Sequence, residues 1–306
     1  LAGRDGSQGV TMSLPNPTLT SIVSIVAEET GLPKRELSVL LGWVLSKDRA
    51  GLIRDSNDTL PMSKVSEFKA AARRRQEGEP VAYIIGVQEF YSRQFYVNSN
   101  VLIPRPETEE LVERALQFLQ RRSHESLLTS VLDVGCGSGV IGITLALENP
   151  LLQITAVDIS QEALEVTRQN AKFHRLNNFK SQISDVYDGL EHSSFGPGFD
   201  LIVSNPPYIA AGDPHLAQGD LRFEPSQALT DQADGLSFYR RLARGASQWL
   251  RPNGAVLVEH GFDQQNQVQR IFKKAGFLSV EGFNDLSGHP RMVLAQIQTP
   301  QVAEGT

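Results

Sequence analysis

Cys136 is the only cysteine in 306 residues, so no internal disulfide is possible and a reducing compartment fits the chain. No apolar run approaches the ~20 residues that a membrane-spanning helix needs, and no charged-then-apolar signal segment is present. A cytoplasmic location without membrane attachment is therefore expected. There is no basic surplus either. The net charge of -6 and pI of about 5.6 argue against bare nucleic acid as the main partner, since a domain built for phosphates is usually basic. The short basic runs Arg73 to Arg75, Arg121-Arg122 and Arg240-Arg241 read as solvated helix faces. Internal repeats and low-complexity tracts are absent, no His/Cys/Asp spacing suits a metal, and no Ser/His/Asp order suggests acyl transfer.

What remains is a globular chain, 40% hydrophobic with a mean hydropathy of -0.22. Its length predicts two domains, each able to bury its own core. Residues 1–11 are Gly- and Ser-rich and precede Met12, which reads as a leader or expression remnant. From 12 to 82 the pattern is helical: Leu19, Ile22, Val23 and Val26 share a face, Leu37, Leu40, Leu41 and Val44 repeat the spacing, and a third helix is predicted after Ser63. Residues 83–103 turn aromatic and β-branched around Ser92-Arg93, which predicts a β-hairpin linker. Pro104-Arg105-Pro106 ends it, and a helix opens at Pro106 with Glu107, Glu109 and Glu110 where the helix dipole favours acids.

From 104 to 298 strands and helices alternate. Strand candidates are 131–134, 153–157, 180–183, 201–204 and 255–259, followed by 277–283 and 292–297. Alternation of this kind predicts an α/β fold with a mostly parallel sheet covered on both faces. The last two pieces are separated by only a short turn, so an antiparallel final strand is expected. Residues 299–306 are predicted to be a flexible tail.

Two motifs carry chemistry. The first is Asn205-Pro206-Pro207-Tyr208, directly after the apolar run Leu201 to Ser204. A planar NH2 group is a poor nucleophile because its lone pair is delocalised. The Asn205 side-chain oxygen and the Pro206 carbonyl can each accept one of its hydrogens and draw the nitrogen toward a tetrahedral, attack-ready form. Pro206 and Pro207 stiffen the loop, and Tyr208 offers a flat face to a planar substrate. By itself the run is also ordinary loop punctuation.

The second motif is Gly135-Cys136-Gly137-Ser138-Gly139, between the strand ending at Val134 and a helix beginning near Val140. Glycines allow the tight turn and close ligand approach, and Asp158 stands 19 residues past Gly139 at the end of the next strand, where a carboxylate can grip a ribose diol. Gly137 to Gly142 also satisfies the dinucleotide pattern G-x-G-x-x-G. Three features favour S-adenosyl-L-methionine over a nicotinamide dinucleotide: the turn reads G-x-G-x-G straight from the strand, no pyrophosphate-specific feature accompanies it, and the Asn-Pro-Pro-Tyr run lies at the end of the fourth strand. Cys136 reads as a small filler. Asp185, after the third strand, is placed either to meet an adenine amino group or to sit solvated in a loop.

Together these stretches resemble the HemK/PrmC family of release factor glutamine methyltransferases. The resemblance rests on GEPVAYIIG (78–86), LIPRPETEELV (102–112), DVGCGSG (133–139), SNPPYI (204–209), HLAQGDLRFEP (215–225) and LVEHG (257–261). It implies a class I S-adenosyl-L-methionine-dependent fold, Rossmann-like and seven-stranded. It implies methyl transfer to the glutamine of the Gly-Gly-Gln motif in class 1 peptide release factors, leaving S-adenosyl-L-homocysteine. Carried onto this sequence, cofactor contacts fall on Gly135, Cys136, Gly137, Ser138, Gly139, Asp158, Asp185, Val186 and Asn205, and the glutamine clamp on Asn205, Pro206, Pro207 and Tyr208. One position departs: many members carry Trp after the third-strand Asp, and here Val186 stands there, with Tyr187 as a possible replacement. The helical domain is expected to help dock the release factor, with no direct nucleic acid requirement and a monomeric chain. The long segment 209–230, with His215, Asp220, Arg222 and Glu224, reads as a lid beside the substrate slot or as a structural ion-pair loop. The alternatives left open are an adenine amino-methyltransferase acting on nucleic acid, a non-catalytic binding module and a nicotinamide dehydrogenase.

Overall fold

The computed structural model describes residues 16–122, 129–192 and 198–297. The leader 1–11 and the tail 299–306 lie outside them. The chain divides into two compact units, residues 1–85 and 86–306.

The first unit is helical. Helix α1 (Leu19–Thr30) starts in a reciprocal cap: Thr18 Oγ1 accepts the Ser21 N–H at 3.1 Å, and Ser21 Oγ accepts the Thr18 N–H at 2.8 Å. It stops at Gly31, whose φ of 73° suits the left-handed cap. Helix α2 (Lys34–Leu45) follows, then α3 (Arg49–Arg54), α4 (Met62–Gln76) and α5 (Val81–Ile85). Leu19, Ile22 and Val26 of α1, Leu37, Leu40 and Leu41 of α2, and Val65 and Phe68 of α4 close on one buried core, as the 3.6-residue periodicity requires. Helix α3 escaped the sequence pattern because its six residues carry no apolar repeat; the Asp48 side chain caps it through the Gly51 N–H at 2.7 Å.

The hairpin is shorter than its sequence signal. Residues 81–85 are helical, and strands β1 (Val87–Phe90) and β2 (Arg93–Tyr96) pair antiparallel around Tyr91 and Ser92. Both turn residues have positive φ (53° and 57°), which two-residue hairpin turns demand and which Asn-Gly usually supplies. Here helix α6 (Pro106–Arg122) holds the turn, with Glu109 accepting the Tyr91 N–H at 2.7 Å and Glu113 accepting its phenol.

The second unit is built on a seven-stranded sheet. In chain order its strands are β3 (Thr129–Val134), β4 (Leu152–Asp158), β5 (Phe179–Ile183), β6 (Phe199–Ser204), β7 (Leu250–Glu259), β8 (Ser279–Asn284) and β9 (Pro290–Gln296). Their spatial order is β5-β4-β3-β6-β7-β9-β8. The first five pair parallel and β9 runs antiparallel between β7 and β8, as its short connection anticipated. Helices α7 (Val140–Glu148), α8 (Gln161–Phe173), α9 (Ser226–Leu229), α10 (Ser237–Trp249) and α11 (Gln265–Lys274) complete it.

Side chains along the central strands alternate between two faces of the sheet, and both faces are buried. Val131, Leu201 and Leu257 pack with α6 and α7 on one face, while Leu132, Ile202 and Val256 pack with α10 and α11 on the other. Both faces are thus covered, which is why these strands read as continuous apolar runs. The chain winds from β3 to β5 in one direction and resumes at β6 on the other side of β3. This reversal opens a crevice at the carboxyl ends of β3 and β6, the place where ligands bind in open α/β sheets.

Candidate active site

A cavity of about 300 Å³ lies at that end of the sheet. Its floor is the turn after β3. Gly135, Gly137 and Gly139 have φ of 71°, 55° and 82°, all in the left-handed region that costs a residue with a Cβ. A Cβ on Gly137 would meet nothing within 4 Å, so the open space beside it belongs to the cavity. Gly142 does a different job. A Cβ there would come within 2.9 Å of Ile154 and 3.0 Å of Asp133 Oδ2, so the last glycine of the apparent dinucleotide pattern lets α7 pack on the sheet.

Two carboxylates organise this floor. Asp158 ends β4 and accepts the Gly137 N–H at 2.9 Å and the Ser160 N–H at 3.0 Å. Burial raises its pKa and those backbone donors oppose the shift. A carboxylate has roughly four lone-pair sites, so Asp158 keeps acceptor capacity for a ribose hydroxyl. Asp133 is fully buried under α7 and accepts the Gly142 N–H at 2.9 Å. Its second oxygen has no hydrogen-bond partner among the described residues, and burial pushes the carboxyl up to about 7.

The predicted cofactor residues Gly135, Cys136, Gly137, Ser138, Asp158, Asp185, Val186 and Asn205 all line the cavity; Gly139 sits behind them as the N-cap of α7. Cys136 is buried against Ala156 and Leu164, and burial raises its thiol well above the ordinary range, which fits a filler and no nucleophile. Asp185 stands at the rim and pairs with Arg241 at 2.6 Å. Val186 reaches the wall with a φ of 55°, a strained conformation for a β-branched residue. Tyr187 does not compensate for the missing tryptophan: it is buried beneath, donating to the Leu242 carbonyl at 2.9 Å and stacking on Trp249. The aromatic wall comes instead from Phe238 at the start of α10, which no sequence pattern singled out.

Of the Asn-Pro-Pro-Tyr run, Asn205 and Pro207 line the cavity, while Pro206 and Tyr208 do not. The Pro206 carbonyl accepts no hydrogen bond among the described residues. Tyr208 packs its ring against the core beside α10, and the Gln264 side chain holds its carbonyl at 2.9 Å. Asn205 Nδ2 donates to Thr108 Oγ1 at 3.1 Å. Thr108, on α6, also lines the cavity.

The segment 209–230 is not structureless. It holds two 3-10 turns, 214–217 and 219–223, and then α9. Glu224 is buried, accepts the Ile103 N–H at 3.0 Å and pairs with Arg105, tying this segment to the strap before α6. Arg105 lines the cavity, whereas His215, Asp220, Arg222 and Glu224 do not. His215 is paired with Asp213 at 2.7 Å on the surface. Among the described residues no cluster of His, Cys, Asp or Glu could hold a metal ion, and no helix is long and apolar enough to cross a membrane. The floor, the wall and the Asp158 carboxylate have the chemistry to fit an adenosine-like group beside the loop that carries Asn205.

Residues 109–222 match the family model described as methyltransferase small domain, and 19–86 match the PrmC N-terminal domain. The chain is 44% identical over 267 residues to a release factor glutamine methyltransferase of Neisseria gonorrhoeae, covering 87% of this chain and 94% of that protein. It is 42% identical over 275 residues to the namesake of Bordetella pertussis, covering 90% and 98%. Among solved structures, the hMettl16 catalytic domain in complex with the MAT2A 3′UTR hairpin 6 superposes with a TM-score of 0.54 at 14% identity, covering 78% of this chain and 82% of that one; this likeness is one of fold.

Proposed function

The chain belongs to the release factor glutamine methyltransferase family, and on that premise we propose that it methylates the side-chain amide nitrogen of the glutamine in the Gly-Gly-Gln motif of class 1 release factors. S-adenosyl-L-methionine, when bound, supplies a sulfonium methyl whose C–S bond breaks as the N–C bond forms, leaving S-adenosyl-L-homocysteine. Gly135, Gly137, Asp158, Val186 and Phe238 are the residues that would hold it, since all face one cavity.

The observation that carries this reading is the state of Asn205. Its nitrogen is engaged by Thr108, and its oxygen makes no hydrogen bond among the described residues. That oxygen is the acceptor the cavity offers to a substrate NH2 group; the Pro206 carbonyl, which makes no hydrogen bond among the described residues but does not line the cavity, is the second acceptor proposed for localising the amide lone pair. Orientation and this charge complementarity supply the rate, each term capable of several kcal/mol. The methylated nitrogen is cationic until its extra proton passes to water, so the protein need hold no strong base.

The helical unit and the hairpin are the parts proposed to dock the release factor. Val39 and Trp43 stand one helical turn apart on α2 and are both exposed, the arrangement of an apolar anchor on a helix face.

Mass spectrometry of a release factor tryptic peptide after incubation with the protein and S-adenosyl-L-methionine tests the reading. A single methyl on the Gly-Gly-Gln glutamine is expected, with DNA and RNA left unmodified in parallel reactions. An unmodified peptide, or methyl transfer to adenine in its place, overturns it.

A further inference from the structure

A carboxamide has two ends of nearly the same shape, and only one of them serves the proposed chemistry. An oxygen facing the substrate accepts from its NH2 group; a nitrogen facing it repels. Three side chains from three elements bear on this choice. Glu259 closes β7 and is buried. Its Oε2 accepts the Thr108 hydroxyl at 2.7 Å, and Thr108 Oγ1 receives Asn205 Nδ2 at 3.1 Å.

We propose that Thr108 and Glu259 are positioning residues that lock the Asn205 side chain with its oxygen toward the substrate. This inference rests on the reading of Asn205 given above and deepens it. An ionised carboxylate offers only lone pairs, so the one hydroxyl proton of Thr108 is committed to Glu259. Oγ1 is then left as an acceptor alone, and the group beside it has to be a donor. Asn205 meets that demand with its NH2 end. Turning the amide over would bring two acceptors face to face and strand a buried hydroxyl lone pair, and an unmade buried hydrogen bond is more costly than a made one is stabilising. The direction of the relay, Asn205 to Thr108 to Glu259, is therefore set at its carboxylate end.

Burial is the largest influence on Glu259 and, with Glu107 from the first turn of α6, raises its carboxyl to about 7 against the pull of Thr108, Arg291 from β9 and Asn205. The polarity of the relay therefore belongs to the ionised form, above that pH. The Tyr239 hydroxyl donates to the backbone carbonyl of Glu259 at 2.8 Å, which anchors the strand end without competing for the carboxylate. Neither Thr108 nor Glu259 needs to touch the reacting atoms for this role, and so both act through Asn205.

A double-mutant cycle on release factor methylation tests the proposal. Thr108→Val removes the hydroxyl at constant shape and is expected to lower kcat about 10- to 100-fold, the worth of one buried charge-assisted hydrogen bond, with the KM for release factor little changed. Thr108→Ser, which keeps the hydroxyl, is expected to recover most of that loss. In an Asn205→Ala background the Thr108→Val change is expected to cost nothing further, because there is no amide left to orient. A purely structural role for Thr108 would cost the same in both backgrounds. Thr108→Ala substitutes for Thr108→Val should the latter not fold, with the same expectation. A Thr108→Val enzyme at the wild-type kcat, or penalties that simply multiply in the double variant, would overturn this inference while leaving the functional reading intact. A wild-type enzyme that does not modify the release factor would overturn both.

Discussion

Asp158 and Gly137 hold each other in place: the carboxylate that closes β4 accepts the N–H of the middle glycine in the β3 turn, 2.9 Å away and 21 residues earlier in the chain. The bond shapes the turn and also leaves the carboxylate facing the cavity with lone pairs to spare. Removing it should therefore affect cofactor affinity and leave the chemistry largely alone. For Asp158→Ala we expect the dissociation constant for S-adenosyl-L-methionine to rise by roughly 10- to 100-fold, the range for losing hydrogen bonds to a charged group. At saturating cofactor, kcat should stay near wild type. Titration calorimetry and a rate measurement at two cofactor concentrations check the split.

The glycines of that turn should separate by what stands next to them. A Cβ on Gly139 would sit 2.9 Å from Ile143 and 3.0 Å from Thr167, at a φ of 82°. Gly139→Ala is expected to lose stability by about 1–3 kcal/mol through strain and overpacking. Gly137 has open space around it, so Gly137→Ala should carry only the cost of a left-handed alanine, about 1–2 kcal/mol, and lose cofactor binding instead. Urea melts of both variants, with and without S-adenosyl-L-methionine, distinguish the two: ligand should raise the midpoint of Gly139→Ala and fail to raise that of Gly137→Ala.

Much of this arrangement was legible in the sequence because it is local. The glycine turn, the acid at the next strand end and the Asn205 to Tyr208 run each follow an apolar strand within a few residues, and in a parallel sheet strand ends converge on one edge. The parts that were not legible are joined across long stretches of chain. Thr108 meets Asn205 across 97 residues and Glu259 across 151, and no spacing rule connects α6, β6 and β7. Phe238 carries no signature in the sequence, because an aromatic at a helix start looks the same whether it faces core or cavity. Tyr187, the expected substitute for a tryptophan, follows a residue with φ of 55°, and that kink leaves its ring buried against Trp249, an outcome set by backbone conformation.

Phe238 should matter to adenosine binding in proportion to the surface it offers. It lines the cavity with one edge and packs against the α10 core with the other. Phe238→Leu keeps the core contact and removes the flat ring face. An offset-stacked aromatic contact is worth about 0.5–1.5 kcal/mol beyond burial, so cofactor affinity should fall roughly 3- to 10-fold by calorimetry. An unchanged affinity would mean that the adenine does not lie against this wall.

Glu259 should set function against stability. Burial raises its carboxyl from 4.5 to about 7, against the pull of Thr108 and Arg291. A raised pKa means that the folded state holds the proton more tightly than the unfolded one. The associated stability is complete below about pH 4.5, declines between there and pH 7, and is absent above. At pH 8 the buried charge thus costs up to about 3 kcal/mol, from about 1.4 kcal/mol for each pKa unit. Glu259→Gln removes the charge while keeping the shape. It is expected to unfold at higher urea than wild type at pH 8, with the difference shrinking as pH falls toward 4.5; Asp133, also raised to about 7, is common to both proteins and cancels. Activity should move the other way. Below pH 7 a protonated Glu259 can donate to Thr108 Oγ1 and compete with Asn205 for its lone pairs, so wild-type kcat is expected to fall with acid through that range. The Gln variant carries no titrating group there and should lose this limb of the profile. A Gln variant that kept the same acid limb would assign the fall to another group.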